Sequence, residues 1–305
     1  MSTKLKNFKY LFKIPSLVLW LLIAILTFLL PDVIIIYRYI EANFGGSFAG
    51  KIPFFLVIVS GTGYIACLLL MKKSLKNLFY LLPCVVIVWF IFTFQENPNK
   101  HIHIPEYVLL AWLVYAALSR DYRGSGILIL VFVCTSMLGL VDELEQGIHP
   151  GRFYGLSDML VNTSSALIGV FTILGLRRHS ASDWNWIVQL RTCKEYLGFI
   201  FLGLTCVGVS MVYLFQVQAN EGISANVFPE WLLVWNIFLL INAPLIMYMY
   251  RSVWQNNQGE KSILQDPISR QNLLSVRLWL YSMIIILFYM HLLIAYTIIT
   301  GTIFK

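Results

Sequence analysis

The chain has 305 residues, of which 59% are hydrophobic and only 12% are charged, and its net charge is +7. A typical soluble domain is about half apolar and about a quarter charged, so too few charges remain here to cover a water-exposed surface. The lysines and arginines lie near the ends of apolar runs and form no basic face interleaved with aromatic residues, which argues against a nucleic-acid partner. Composition therefore predicts an integral membrane protein whose first partners are membrane lipids.

Nine apolar runs follow one another, most of them near the length that crosses a bilayer. A backbone in lipid must satisfy its own hydrogen bonds, and no run has the alternating pattern of a barrel strand, so each is predicted to be a helix. The predicted spans are residues 14–37, 52–71, 78–94, 104–118, 125–141, 159–176, 197–215, 228–250 and 276–300. The fold class is predicted to be all-α, a polytopic bundle of about nine transmembrane helices.

The distribution of positive charge predicts one orientation. With a cytoplasmic N-terminus, 17 of the 22 Lys and Arg residues lie in segments on the inner side, as the positive-inside rule requires. The first apolar run is longer than the core of a secretory signal, so it is expected to remain as an anchor. The loops that follow the third and fifth spans are then extracytoplasmic.

The first group of chemically active residues lies at the start of the fourth predicted span. Lys100, His103, Glu106 and Tyr107 fall within eight positions, around Pro105. A proline suits the first turn of a helix because its missing N–H would be unpaired there. The carboxylate of Glu106 then meets the positive end of the helix dipole.

A second group spans the end of the fifth predicted span and the start of the sixth. The spacing of i, i+3 and i, i+4 places these side chains along helix faces at membrane depth. The group comprises Asp142, Glu143, Gln146, Arg152, Asp158 and Asn162.

Two interpretations of these groups stay open. Glu145, His149 and His101 are expected to be ordinary solvated loop residues, whereas Glu143 and Asn162 near the hydrocarbon are costly unless paired or facing a cavity. The alternative for the rest is structural. Glu143, Arg152 and Asp158 would then form an ion-pair network that only holds two helices together.

The motifs together resemble those of the VanZ-like family. K-x-x-H-x-x-E-Y from Lys100 is followed by E-x-x-Q from Glu143, P-x-R from Pro150 and D-x-x-x-N from Asp158, in the family's order and spacing. The resemblance covers about residues 80–178. Where the family usually has N-x-x-G-x-x-x-G after this asparagine, the chain has Ser165 at the first glycine, a small residue that also permits close helix packing. The resemblance implies a cell-envelope membrane protein associated with resistance to teicoplanin-type glycopeptide antibiotics.

Chemical roles can be assigned to these residues. A planar guanidinium such as that of Arg152 holds anions, a carboxylate such as Glu143 acts as general acid or base, and His103 transfers protons near neutral pH. The predicted catalytic residues are Glu143, His103 and Asp158. The predicted substrate-binding residues are Lys100, Glu106, Tyr107, Gln146, Arg152 and Asn162. The sequence identifies no cofactor, and H-x-H at residues 101–103 is too common to predict a metal site.

The predicted division is a VanZ-like membrane domain with N-terminal spans at residues 1–178, followed by an accessory three-helix membrane region at residues 179–305. Asn236, Asn242, Pro244 and His291 of the second region are expected to serve helix packing.

Three functions remain in competition. The first is an enzyme at the outer leaflet acting on a phosphate- or carboxylate-bearing lipid, such as a lipid-linked envelope precursor. The second is a non-catalytic protein that binds a lipid headgroup or glycopeptide. Transport is the least favoured, because a carrier is expected to place charges near the bilayer midplane and here they lie at the rim.

Overall fold

The computed structural model describes residues 15–119, 126–149, 152, 154–176, 194–219, 228–256 and 267–301, and every regular element in these ranges is a helix. The predicted all-α class is therefore confirmed. The lysines that precede the first span, and Pro150, lie outside the described residues. The helices are α1 Ser16–Leu29, α2 Val33–Phe44, α3 Gly46–Ala49, α4 Lys51–Leu70, α5 Leu81–Phe94, α6 His103–Leu118, α7 Ile127–Ile148, α8 Leu156–Leu176, α9 Lys194–Ala219, α10 Glu230–Asn256 and α11 Pro267–Thr300, with short 3-10 helices at Leu75–Tyr80 and Pro98–Ile102.

The lengths and compositions of these helices are those of a multi-pass membrane protein. Within the described residues, eight helices are long and apolar enough to cross a membrane, and the number becomes nine if the bent pair α1 and α2 is one span. The predicted number of about nine spans is consistent with this range.

The first predicted span is not one straight helix. α1 ends at Leu29 and α2 begins at Val33, and the two are bent by 49° at the break. Pro31 lies in the break, where it removes a backbone donor and its ring clashes with the preceding turn. The prediction of one continuous helix over residues 14–37 is wrong for this reason.

Contacts divide the chain into two compact units. Unit 1 comprises Met1–Asp142 and Gly155–Ser182, and unit 2 comprises Glu143–Tyr154 and Asp183–Lys305. The division thus differs from a single cut after residue 178, because the segment that follows Asp142 groups with the C-terminal helices.

In unit 1 the central contact is the packing of α6 against α8, with α1 on α6 and α5 on α8. A Cβ atom built at Gly169 of α8 would lie only 2.5 Å from the Cβ of Ala111 in α6, so no larger residue fits without a shift of the helices. Ser165 is buried and its hydroxyl donates to the carbonyl of Val161 in its own helix, at 2.7 Å. Small residues therefore line this face of α8.

A tight turn ends α4. The N–H of Lys73 donates to the carbonyl of Leu68, and that of Lys72 donates to the carbonyl of Leu69, both at 3.0 Å, which is the Schellman pattern. Lys72 has φ +52°, a left-handed conformation that costs a residue other than glycine roughly 1–2 kcal/mol. Glycine is the usual residue at this position of the motif.

In unit 2, α9, α10 and α11 pack on one another. Asn236 donates to Ser210 at 3.1 Å, and its side-chain oxygen lies 2.8 Å from Nδ1 of His291, so three helices share one buried chain of hydrogen bonds. Both residues thus make the interhelical contacts expected of packing residues. Asn242 differs, because its amide donates to the carbonyl of Phe238 in the same helix.

Candidate functional site

The predicted site residues of unit 1 gather where α6 and α8 begin and where α7 ends. We call this region the polar end. Its members come from three helices and the segment before α6: Gln95, Lys100, His103, Glu106, Tyr107, Asp142, Ser157, Asp158 and Asn162.

The best-connected group of the polar end is the carboxylate of Asp158. Its Oδ1 lies 2.7 Å from Nζ of Lys100, and it accepts hydrogen bonds from Nε2 of Gln95 at 3.0 Å and from the hydroxyl of Ser157 at 3.2 Å. Asp158 is 2% exposed, whereas Lys100 is 29% exposed. A buried carboxylate needs such partners, because removing an ionised group from water costs several kcal/mol.

A second pair of the polar end joins His103 to Glu106. Nδ1 of His103 lies 2.9 Å from Oε2 of Glu106, one helical turn along α6. Glu106 lies in the first turn of α6, as predicted, where the helix dipole favours its charge. An ionised Glu106 accepts a hydrogen bond from the N–H at Nδ1, and this contact fixes the tautomer of a neutral His103.

A third contact joins α6 to α7. The hydroxyl of Tyr107 donates to Oδ2 of Asp142 at 2.9 Å, and both residues are fully buried. Asn162 of α8 is also fully buried, and its Cβ would lie 3.0 Å from a Cβ built at Gly139 of α7. The glycine therefore permits the close approach of α7 to Asn162.

The polar end also contains a pair of groups with metal-binding chemistry. One nitrogen of His103 and one carboxylate oxygen of Asp142 lie within 4.8 Å of each other. Protein zinc sites use three or four side-chain ligands. These two residues of unit 1 would need further ligands before they could hold an ion.

The other predicted site residues lie in unit 2, in the segment that follows Asp142. Arg152 donates to Oε1 of Gln146 through Nε at 3.1 Å and through Nη2 at 2.5 Å. Glu143 and Gln146 are buried. Burial, and then the negative charge of Glu143, raise the pKa of Tyr154 above its usual value, so this phenol stays protonated and can donate a hydrogen bond.

Two predictions of solvated loop residues are wrong. His101 is 6% exposed, its Nε2 donates to the carbonyl of Gln95 at 2.8 Å, and its ring centroid lies 4.0 Å from that of Phe92. Glu145 is 8% exposed and accepts a hydrogen bond from Tyr289 at 2.7 Å. Glu145 is buried because Tyr289, a residue distant in sequence, binds it. His101 is buried because the short 3-10 helix before α6 turns its side chain inward. His149 is half-buried.

Sequence reasoning missed Gln95. This residue donates to both Asp158 and Ser157, and its carbonyl accepts from His101. The sequence around Gln95 does not indicate a functional role, because a polar residue commonly follows an apolar run at the end of a span. Its amide becomes informative only when α5 and α8 are placed side by side.

Comparison of the chain with protein-family models, with curated proteins and with solved structures found no match. The resemblance to the VanZ-like family consequently stays a prediction from its motifs.

Proposed function

We propose that the chain is a VanZ-like membrane protein of the cell envelope, which binds an anionic group of a lipid-linked envelope precursor or a glycopeptide at the outer leaflet. The polar end is the binding site in this proposal. The single observation that carries it is the set of donors around Asp158, in which the partly exposed Lys100 is one of three.

An anion that reaches the polar end can compete with Asp158 for Lys100. If Lys100 turns toward the ligand, Asp158 keeps the hydrogen bonds from Gln95 and Ser157, so its buried charge is not left without partners. The ammonium group of Lys100 can therefore leave Asp158 and bind a ligand anion at moderate cost. A charge-assisted bond from an ammonium group suits phosphate and carboxylate ligands alike.

The location of the site follows from the predicted orientation. The positive-inside distribution of Lys and Arg supports an extracytoplasmic polar end. A cysteine introduced at the exposed Glu96, close to the site, would test it. Labelling by a membrane-impermeant reagent added to intact cells is expected, and labelling only after the cells are opened would contradict the orientation.

Catalysis is the second candidate, and the pair of His103 and Glu106 favours it. A buried imidazole held in one tautomer by a carboxylate is a common form of general base. Replacing His103 by Gln is then expected to abolish function, whereas a protein that only binds its ligand through Lys100 would tolerate this change.

The experiment compares two lysines predicted to lie on the same side of the membrane. Cells that express Lys100→Met are expected to lose the protection against teicoplanin that the unchanged protein gives, while Lys51→Met, an exposed lysine at the start of α4, keeps it. Immunoblots of membranes check that both variants accumulate equally. Equal protection by the two variants, or no protection by the unchanged protein, would overturn the proposal.

A further inference from the structure

A half-enclosed cavity of about 440 Å³ lies in unit 1 and extends away from the polar end. Its walls come from four helices, with Gly61 and Tyr64 of α4, Val85 of α5, Trp112 of α6 and Thr172 of α8 among the lining residues. The volume lies within the range of small-molecule sites, roughly 300–1,000 Å³. None of the predicted site residues lines it.

The cavity extends along the helices α6 and α8. Its lining runs from Ile104, in the first turn of α6, to Leu176, the last residue of α8. Gly169 of α8 contacts Ala111 of α6. The stretch of α6 from Ile104 to Ala111 is therefore followed, along the same direction, by the stretch of α8 from Gly169 to Leu176. At roughly 1.5 Å per residue the two stretches together extend over about 20 Å. Half of the hydrocarbon core is about 15 Å thick, so the lining is long enough to cover a chain that crosses one whole leaflet.

The wall offers few polar groups to a ligand. Nε1 of Trp112 donates to the hydroxyl of Thr172 at 3.0 Å, and this hydroxyl donates to the carbonyl of Gly169 at 2.7 Å. The thiol of Cys84 likewise donates to a backbone carbonyl, that of Tyr80, at 3.2 Å. Val85 is 64% exposed on the outer side of this wall, where a membrane span faces lipid. The cavity therefore suits a hydrocarbon chain that enters from the bilayer.

Positive charge lies at the end of the cavity farthest from the polar end. Lys72 and Lys76 are exposed in the short segment between α4 and α5. This segment lies beside the end of α8, because the amide of Asn77 donates to the carbonyl of Gly175 at 2.6 Å. The cavity-lining Leu176 follows directly.

The conformation of Lys72 is the second observation at this end. Glycine is the common residue at this position of the turn, yet the chain has lysine there at φ +52°. A residue held in an unfavourable conformation points to a function for its side chain. The function that its position suggests is binding of a negative charge at the membrane surface.

We propose that the cavity binds one acyl chain of an anionic glycerophospholipid, and that Lys72 and Lys76 hold its phosphate. The lipid belongs to the leaflet at the lysine end of unit 1, opposite the polar end. This site is separate from the function proposed above and stands or falls independently of it.

Two glycines of α4 provide matched variants for the test. A Cβ atom at Gly61 or at Gly63 would meet no atom within 4 Å beyond the neighbouring backbone of its own helix, but Gly61 lines the cavity and Gly63 is exposed on another part of the helix. The purified full-length protein is placed in lipid nanodiscs that contain phosphatidylglycerol with a photoreactive acyl chain. Crosslinked peptides are then located by mass spectrometry. Gly61→Phe is expected to lower labelling of the cavity walls at least fivefold, whereas Gly63→Phe leaves it unchanged.

The charge of the headgroup is tested with the lysines. The unchanged protein is expected to be labelled several-fold more by photoreactive phosphatidylglycerol than by phosphatidylcholine with the same chain. The double variant Lys72→Gly with Lys76→Ala is expected to remove this preference while labelling by phosphatidylcholine persists. Glycine at residue 72 also relieves the left-handed conformation, so a melting temperature equal to or above that of the unchanged protein checks that the loss is not due to unfolding.

Three results would overturn the proposal. They are equal labelling of Gly61→Phe and the unchanged protein, equal labelling by the two headgroups, and competition by a prenyl phosphate where excess phosphatidylglycerol does not compete. Crosslinking does not depend on protection against teicoplanin, so failure of this site is distinguishable from failure of the polar end.

Discussion

The hydroxyl of Tyr107 donates a hydrogen bond of 2.9 Å to Oδ2 of Asp142, and this bond joins the first turns of α6 to the end of α7. The bond connects a tyrosine and a carboxylate that are both fully buried. A buried carboxylate depends on each donor it has, so this contact contributes to the stability of the polar end as well as to its geometry.

Tyr107→Phe removes that donor and retains the ring. We expect the free energy of unfolding to fall by about 1–3 kcal/mol, the cost of taking one hydrogen bond from a buried polar group. Thermal unfolding of the purified protein in detergent measures the change. Tyr248→Phe is the control, because Tyr248 is 74% exposed. A loss no larger than that of the control would show that the bond contributes little.

The ion pair of Lys100 and Asp158 is tested by a double-mutant cycle. Lys100→Met leaves Asp158 with its neutral donors, and Asp158→Asn leaves a partly exposed lysine that water can solvate. The first change is therefore expected to destabilise the protein more than the second. A coupling energy of about 1 kcal/mol or more is expected for two contacting residues. Purely additive effects would mean that the pair is not formed in the membrane.

Asn162→Leu is expected to impair stability and function more than Asn242→Leu, although both replace an amide by an apolar side chain. Asn162 is fully buried in close contact with Gly139 at the polar end, so a change of side-chain shape there is expected to cost roughly 1–3 kcal/mol. The amide of Asn242 donates to a carbonyl of its own helix, so its replacement removes no hydrogen bond between helices. Membrane abundance, thermostability and antibiotic protection are compared in one background. A larger effect at Asn242 would place the functional centre in unit 2.

Arg152→Lys keeps the charge but changes the geometry of the bond to Gln146. Two guanidinium nitrogens of Arg152 donate to Oε1 of Gln146, and a single ammonium group cannot reproduce this fork. We expect loss of protection against teicoplanin at normal protein levels. Arg38→Lys, in α2, is the matched control outside the predicted site. Full function of Arg152→Lys would exclude a role for the planar group.

Helix faces were predictable from the sequence, but partners were not. Asp158 and Asn162 are one turn apart, so their common face follows from helical spacing, and both are buried. The partner of Asp158 is Lys100, which the segment before α6 brings next to α8. This is a tertiary contact, and no local sequence pattern predicts it. The hydrogen bond from Gln95 to Asp158 could not be predicted for the same reason.

Two further errors have local causes. The bend at Pro31 overrides an uninterrupted hydropathy signal, because hydropathy reports solvent preference and not the loss of a backbone donor. His101 was predicted to be solvated because it lies in a polar segment, yet the short 3-10 helix Pro98–Ile102 turns it toward Phe92 and the carbonyl of Gln95.

The close packing at Gly169 has a consequence for biogenesis. The span that includes α6 has a mean hydropathy of 1.3, the lowest among the candidate spans of the described residues, and it carries His103 and Glu106. The translocon releases helices by their affinity for lipid, but α8, the helix that packs on α6, is synthesised only after α7. A nascent chain that ends after α6 is expected to insert this helix inefficiently, and one that ends after α8 to insert it fully. Lateral release of α6 would then await a helix synthesised later.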